Sequence, residues 1–166
     1  EEAVRLGADA VSVHLNIGGN IAEPQMMSDV GKIAEKCEKY QMPLLVMSYP
    51  RGDNVNDAMD PENVAMATRA AAELGADIVK TSYTGDPESF KRVTSGCPVP
   101  VVIAGGPKCE TDKEVLEMVQ GAMKGGAAGV SLGRNAFQHE TPERIVSALR
   151  EVIVNNKSAD EAVMEK

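Results

Sequence analysis

Three stretches of this chain share one pattern, and that pattern narrows what it can fold into. They are Leu6-Gly7-Ala8-Asp9-Ala10-Val11-Ser12-Val13, Leu74-Gly75-Ala76-Asp77-Ile78-Val79-Lys80-Thr81 and Gly126-Ala127-Ala128-Gly129-Val130-Ser131-Leu132-Gly133. Each reads as a helix end, a glycine stop, a short turn and a buried strand. Two more strands fall at residues 43–49 and 100–105, each opening on a proline, which suits the first position of a strand. The runs are apolar throughout instead of alternating, as expected of strands covered on both faces.

Helical patterns separate the strands. Met26, Met27, Val30, Ile33, Ala34 and Cys37 fall at helical spacing across residues 24–40. Residues 61–74 are rich in alanine, a strong helix former. Residues 112–124 place Val115, Val119, Ala122 and Met123 on one face, with Thr111 and Glu114 as a capping box. Residues 142–154 repeat the pattern, and residues 158–166 read as a short polar tail helix. Asp60-Pro61-Glu62, Asp86-Pro87-Glu88 and Thr141-Pro142-Glu143 each combine a capping side chain, a first-turn proline and an acid, which together favour a helix start.

Strand and helix thus alternate five times, the order of a parallel α/β sheet in one domain over residues 1–166. A doubly wound five-stranded sheet and the last five units of a (β/α)8 barrel both satisfy it. A barrel needs roughly 250 residues. The opening Glu1-Glu2-Ala3-Val4-Arg5-Leu6-Gly7 reads as a helix tail, which favours the barrel with its N-terminal units missing from this sequence. So does polar chemistry at successive strand ends, which a barrel gathers at one mouth.

Charge excludes some partners. Lysine and arginine number 17 against 25 acids, for a net charge of −8. That balance argues against binding nucleic acid or an anionic membrane. Cys37, Cys97 and Cys109 form no C-x-x-C pair, and an odd count suggests no disulfide framework. A reduced, cytoplasmic setting is the expectation.

Lys80 closes a strand on which Ile78 and Ser82 share its face. An ammonium against an apolar wall lowers its pKa, and a neutral amine can attack a carbonyl to form a Schiff base. The plain alternative is a packed stem with its charge in water. Tyr49 ends another strand and can donate a proton to a substrate oxygen, or simply pack its ring with the hydroxyl in water. Gly105-Gly106 and Gly133-Arg134 follow the last two strands, where barrels frequently hold phosphate. Glycines allow close backbone approach and the arginine offers a bidentate cation. His14 ends the first strand, where it either lines the mouth or serves as a hydrogen-bonded wall residue. His139 reads as a surface loop residue, and Tyr40 and Tyr83 as structural. No cluster has metal-ligand spacing.

Four motifs now coincide: Y-P-R-G at 49–52, V-K-T-S-Y-T-G-D at 79–86, V-I-A-G-G-P-K at 102–108 and G-R-N-A-F-Q-H at 133–139. In that order and spacing, the chain resembles the archaeal-type class I fructose-bisphosphate aldolase family. That family also contains 2-amino-3,7-dideoxy-D-threo-hept-6-ulosonate (ADH) synthase, a transaldolase of aromatic amino acid biosynthesis, and a thiolase acting on phosphorylated autoinducer-2. S-V-H-L-N-I-G at 12–18 and V-K-T-S-Y-T-G-D look more like ADH synthase than the glycolytic aldolase. The resemblance implies a (β/α)8 barrel, Lys80 as the Schiff-base lysine and Tyr49 as proton donor. It implies that Pro50 and Arg51 lie in the substrate loop and that Gly105, Gly106, Gly133 and Arg134 hold a sugar phosphate. It further implies a small aldehyde acceptor, no cofactor and no metal, and a large homo-oligomer. The family carries an aspartate on its first barrel strand, and no residue here matches it. The expectation is therefore that this chain alone is inactive. A barrel that binds a sugar phosphate without turnover, with Lys80 as a charge contact, is the reading from another class.

Overall fold

A computed structural model describes residues 1–164. Its elements are α1 (Glu2–Arg5), β1 (Val11–Ile17), α2 (Glu23–Tyr40), β2 (Leu44–Pro50), α3 (Pro61–Glu73), β3 (Ile78–Thr81), α4 (Pro87–Gly96), β4 (Val101–Ala104), α5 (Asp112–Lys124), β5 (Gly129–Ser131), α6 (Arg134–Phe137), α7 (Pro142–Val154) and α8 (Ala159–Met164).

The five strands form one parallel sheet in the order β1-β2-β3-β4-β5. Every strand pairs with its successor. A doubly wound sheet reverses direction at a switch point, and here no reversal occurs. The winding is that of a barrel wall, and it decides between the two expected architectures.

Strand periodicity divides the sheet into two faces. Leu44, Val46 and Ser48 of β2, Val79 and Thr81 of β3, and Val101 and Ile103 of β4 are buried. This face meets the helices, whose Val64, Ala67, Phe90, Leu116 and Val119 are fully buried against it. Ser48 Oγ, though buried, donates to the Ala67 carbonyl at 2.7 Å and ties β2 to α3. The opposite face is only half-buried, and Ser12 and His14 on it are exposed. The apolar runs had suggested strands dry on both faces; only the helix side is dry here.

Local chemistry sets the helix boundaries. Asp60 Oδ1 accepts from the Glu62 and Asn63 amides at 2.9 and 3.1 Å, and Asp86 Oδ1 from the Ser89 amide at 3.0 Å. The Thr111–Glu114 capping box is complete. Thr141 departs from expectation: its side chain caps nothing, and its N–H donates to His139 Nδ1 at 2.9 Å. His139 is correspondingly no free surface residue. Its Nε2 meets Asp112 Oδ1 at 2.8 Å, with the ring side chain 20% exposed. The tail helix forms over Ala159–Met164 and buries Ala159 and Ala162, so it is less polar than expected; residues 165 and 166 lie outside the described residues. Tyr83 is structural as expected, buried edge-on to Phe90 with ring centroids 5.3 Å apart.

Candidate functional site

The half-buried face carries the chemistry. Lys80 is level with Met47 of β2 and Val102 of β4. Tyr49 shares that face, two residues further toward the strand ends. A cavity of about 590 Å³ opens there. Tyr49, Pro50, Arg51 and Lys80 line it together with Gly105, Gly106, Gly133 and Arg134. The fold therefore brings into one cavity residues spread from 49 to 134. Among the described residues, Lys80 Nζ has no hydrogen-bond or ion-pair partner.

Burial pushes the Lys80 amine below the ordinary lysine range. No neighbouring cation contributes. Burial also pushes the Tyr49 phenol up, opposed by the positive charge of Arg51, whose guanidinium carbon sits 5.0 Å from the ring centroid. The two shifts run in the directions that make the lysine proton easier to lose and the tyrosine proton easier to keep. That pairing suits a nucleophilic amine beside a proton donor.

Arg51 is held by a loop interlock. Its N–H donates to the Ile17 carbonyl at 2.8 Å, and the Asn54 N–H to the Gly18 carbonyl at 2.9 Å. Gly52 lies against the Gly18 backbone so closely that a Cβ there has no room. His14 flanks this side with its ring 5.5 Å from that of Tyr49, and its Nε2 meets Asn16 Oδ1 at 2.8 Å. It is not a cavity wall residue.

On the other side, Gly106 has φ +61, and a Cβ on Gly105 would come within 2.9 Å of Leu132 Cδ2. Arg134 Nη2 donates to the Gly106 carbonyl at 3.2 Å. The Gly106 N–H has no acceptor among the described residues, and free backbone donors of this kind can receive an anion.

The sequence reading passed over several wall residues. Met59 arrives on the loop between β2 and α3, Ser131 ends β5, and Phe137 and Asn135 sit on α6. Met59 and Phe137 give no sequence signal, because their placement depends on loop paths. Asn135 was visible inside G-R-N, but its value lies in bonds made across 26 or more residues. Among the described residues, no three His, Cys, Asp or Glu side chains are grouped to hold a metal ion, and no helix is long and apolar enough to cross a membrane.

Comparisons with known proteins align with this geometry. The chain is 44% identical over 156 residues to a 2-amino-4,5-dihydroxy-6-oxo-7-(phosphonooxy)heptanoate synthase of Streptomyces griseus, covering 94% of this chain and 57% of the relative. It is 44% identical over 165 residues to 2-amino-3,7-dideoxy-D-threo-hept-6-ulosonate synthase 1 of Archaeoglobus fulgidus, covering 99% and 60%. Among solved structures, it superposes with TM-score 0.88 at 39% identity on an archaeal fructose-1,6-bisphosphate aldolase whose catalytic lysine is covalently bound to the carbinolamine intermediate, over 92% of this chain and 61% of that one. The chain thus spans about 60% of the length of the proteins it matches. The DeoC/LacD family aldolase pattern matches residues 1–139, and the chain belongs to that family.

Proposed function

We propose that this cavity forms a lysine Schiff base with a phosphorylated keto sugar and passes a three-carbon unit to a small aldehyde. The observation that carries the reading is a half-buried, unpaired Lys80 amine in one cavity with the Tyr49 phenol and two glycine turns. The neutral amine adds to the ketone, and the carbinolamine loses water to give an iminium. The iminium draws the electron pair of the breaking carbon–carbon bond, so an aldehyde leaves and an enamine remains. That enamine adds to the acceptor aldehyde, and water then releases the product from Lys80. Tyr49 moves the protons of the carbinolamine steps, takes the hydroxyl proton at the bond that breaks and returns one to the oxygen at the bond that forms. Gly105, Gly106, Gly133 and Arg134 hold the phosphate, and Pro50 and Arg51 close the other end.

ADH synthase is the favoured activity: transfer from 6-deoxy-5-ketofructose 1-phosphate to L-aspartate semialdehyde, in aromatic amino acid biosynthesis. Both curated relatives described above are named for seven-carbon 2-amino acids, which supports an acceptor carrying an amino acid. Class I fructose-bisphosphate aldolase is the second reading, supported by the solved relative; product analysis with each acceptor separates the two. The protein acts as a cytoplasmic homo-oligomer, without nucleic acid or membrane partners. The iminium is itself the electron sink, so the chemistry calls for no cofactor.

Borohydride reduction of a chain extended to the length of its relatives, in the presence of several phosphorylated ketoses, tests the reading. An adduct mapped to Lys80 is expected. If none forms with any ketose, the cavity binds sugar phosphate without covalent chemistry.

A further inference from the structure

Asn135 is buried, 6% exposed, yet all of its polar capacity is directed at one loop. Its Nδ2 donates to the Gly105 carbonyl at 2.8 Å and to the Pro107 carbonyl at 3.0 Å. Its Oδ1 accepts from the Cys109 N–H at 2.8 Å. Only a carboxamide can serve two carbonyls and one N–H from a single short side chain. A residue following β5 therefore fixes three backbone groups of the loop following β4.

We propose that Asn135 is a positioning residue that shapes the phosphate-binding turn at Gly105-Gly106 by orienting its peptide planes. A trans peptide holds its C=O and N–H antiparallel, and no peptide bond among the described residues is cis. Turning the Gly105 carbonyl toward Asn135 therefore turns the Gly106 N–H away from it. That N–H is left without a protein acceptor in a loop that lines the cavity. The same side chain anchors the residue next to Arg134, whose guanidinium reaches back to the Gly106 carbonyl. The two turns thus form one rigid unit, and the backbone donor and the cation are set relative to each other before any anion arrives. The proposal rests on reading this end of the cavity as a phosphate site, and it does not depend on Lys80 forming a Schiff base.

Anion binding without turnover tests it. Sulfate serves as the probe, since its charge stays constant across the pH range used, and the amide resonances of Gly105, Gly106 and Gly133 report on it. Asn135→Asp keeps the shape and the acceptor for Cys109 but loses both donated bonds and sets a carboxylate against two carbonyl oxygens. The sulfate dissociation constant is expected to rise at least about tenfold. The gap should narrow between about pH 7 and about pH 5, as the carboxyl protonates and regains one donor. An affinity equal to the parent's, a gap indifferent to pH, or a parent that binds no sulfate each overturns the proposal. If Asn135→Asp does not fold, Asn135→Gln decides: its groups are retained one methylene too far out, so weaker binding supports the proposal and unchanged binding sinks it. Failure of borohydride trapping at Lys80 would remove the Schiff-base reading and leave this result standing.

Discussion

Lys80 and Tyr49 stand on one face of adjacent parallel strands, with Lys80 level with Met47 and Tyr49 two residues nearer the mouth. Two residues of strand amount to about 7 Å, which separates the two side chains by one step along the same face. Both groups are half-buried, with the phenol nearer the strand ends.

The first prediction concerns that amine. Lys80→Met should abolish the borohydride adduct without unfolding the chain. Burial lowers the folded pKa of Lys80 below that of a lysine in water. Between the folded and unfolded values the unfolded chain binds the extra proton, so stability rises with pH through that window. Lys80→Met lacks this rise. Urea midpoints measured from neutral pH up to about pH 10 should climb in the parent relative to the variant. Parallel curves would show a lysine that folding leaves untouched.

Tyr49→Phe isolates the proton. The ring contacts with His14 and Arg51 do not need the hydroxyl, so the melting temperature should hold. In a chain extended to the length of its relatives, turnover should fall about 100-fold or more, the usual cost of removing a positioned proton donor. Adduct formation in slow trapping experiments should persist, because Lys80 remains. Wild-type turnover in Tyr49→Phe would return Tyr49 to the role of a packed ring.

Much of this was legible in the residues. Glycine stops, proline-led strands and acid-capped helices fix five strand-helix units because those signals are local. Lys80, Tyr49 and the two glycine turns come to line one cavity because each lies near a strand end, and parallel strands all end on the same side. What was hidden depends on distance. Asn135 bonds to residues 26 to 30 positions away, and His139 reaches Asp112 across 27. Thr141 looked like a cap because Thr-Pro-Glu is a capping sequence, but a histidine nitrogen accepts its amide proton. The sheet's second face looked dry because the apolar runs do not say which side the helices occupy.

Gly52→Ala tests the loop that carries Arg51. A Cβ there runs into the Gly18 carbonyl and approaches the Asn20 amide at 2.9 Å. These are backbone atoms that cannot rotate aside, so the two loops must separate. A loss of about 1–3 kcal/mol is expected, read as a lower denaturant midpoint at unchanged slope. In a chain extended to the length of its relatives, substrate KM should rise with it, because Arg51 is the adjacent residue. Full stability in Gly52→Ala would mean that the interlock is loose.

Gly121→Ala sets two effects against each other. Gly121 lies inside α5, where alanine ordinarily stabilises by up to about 1 kcal/mol. Its α-carbon, however, faces the Tyr83 hydroxyl, and an added Cβ meets both that oxygen and the ring carbon Cζ, the latter at 3.0 Å. Tyr83 is buried and wedged against Phe90, so the ring has no free space to retreat into. Overpacking of this kind costs about 1–3 kcal/mol, which exceeds the helix gain, and Gly121→Ala should lower the melting temperature. In a Tyr83→Phe background the oxygen is gone, and the same substitution should cost measurably less. A double-mutant cycle therefore gives a coupling energy of about 0.5 kcal/mol or more. Zero coupling, or a stabilised single variant, would show that α5 can shift away from the ring.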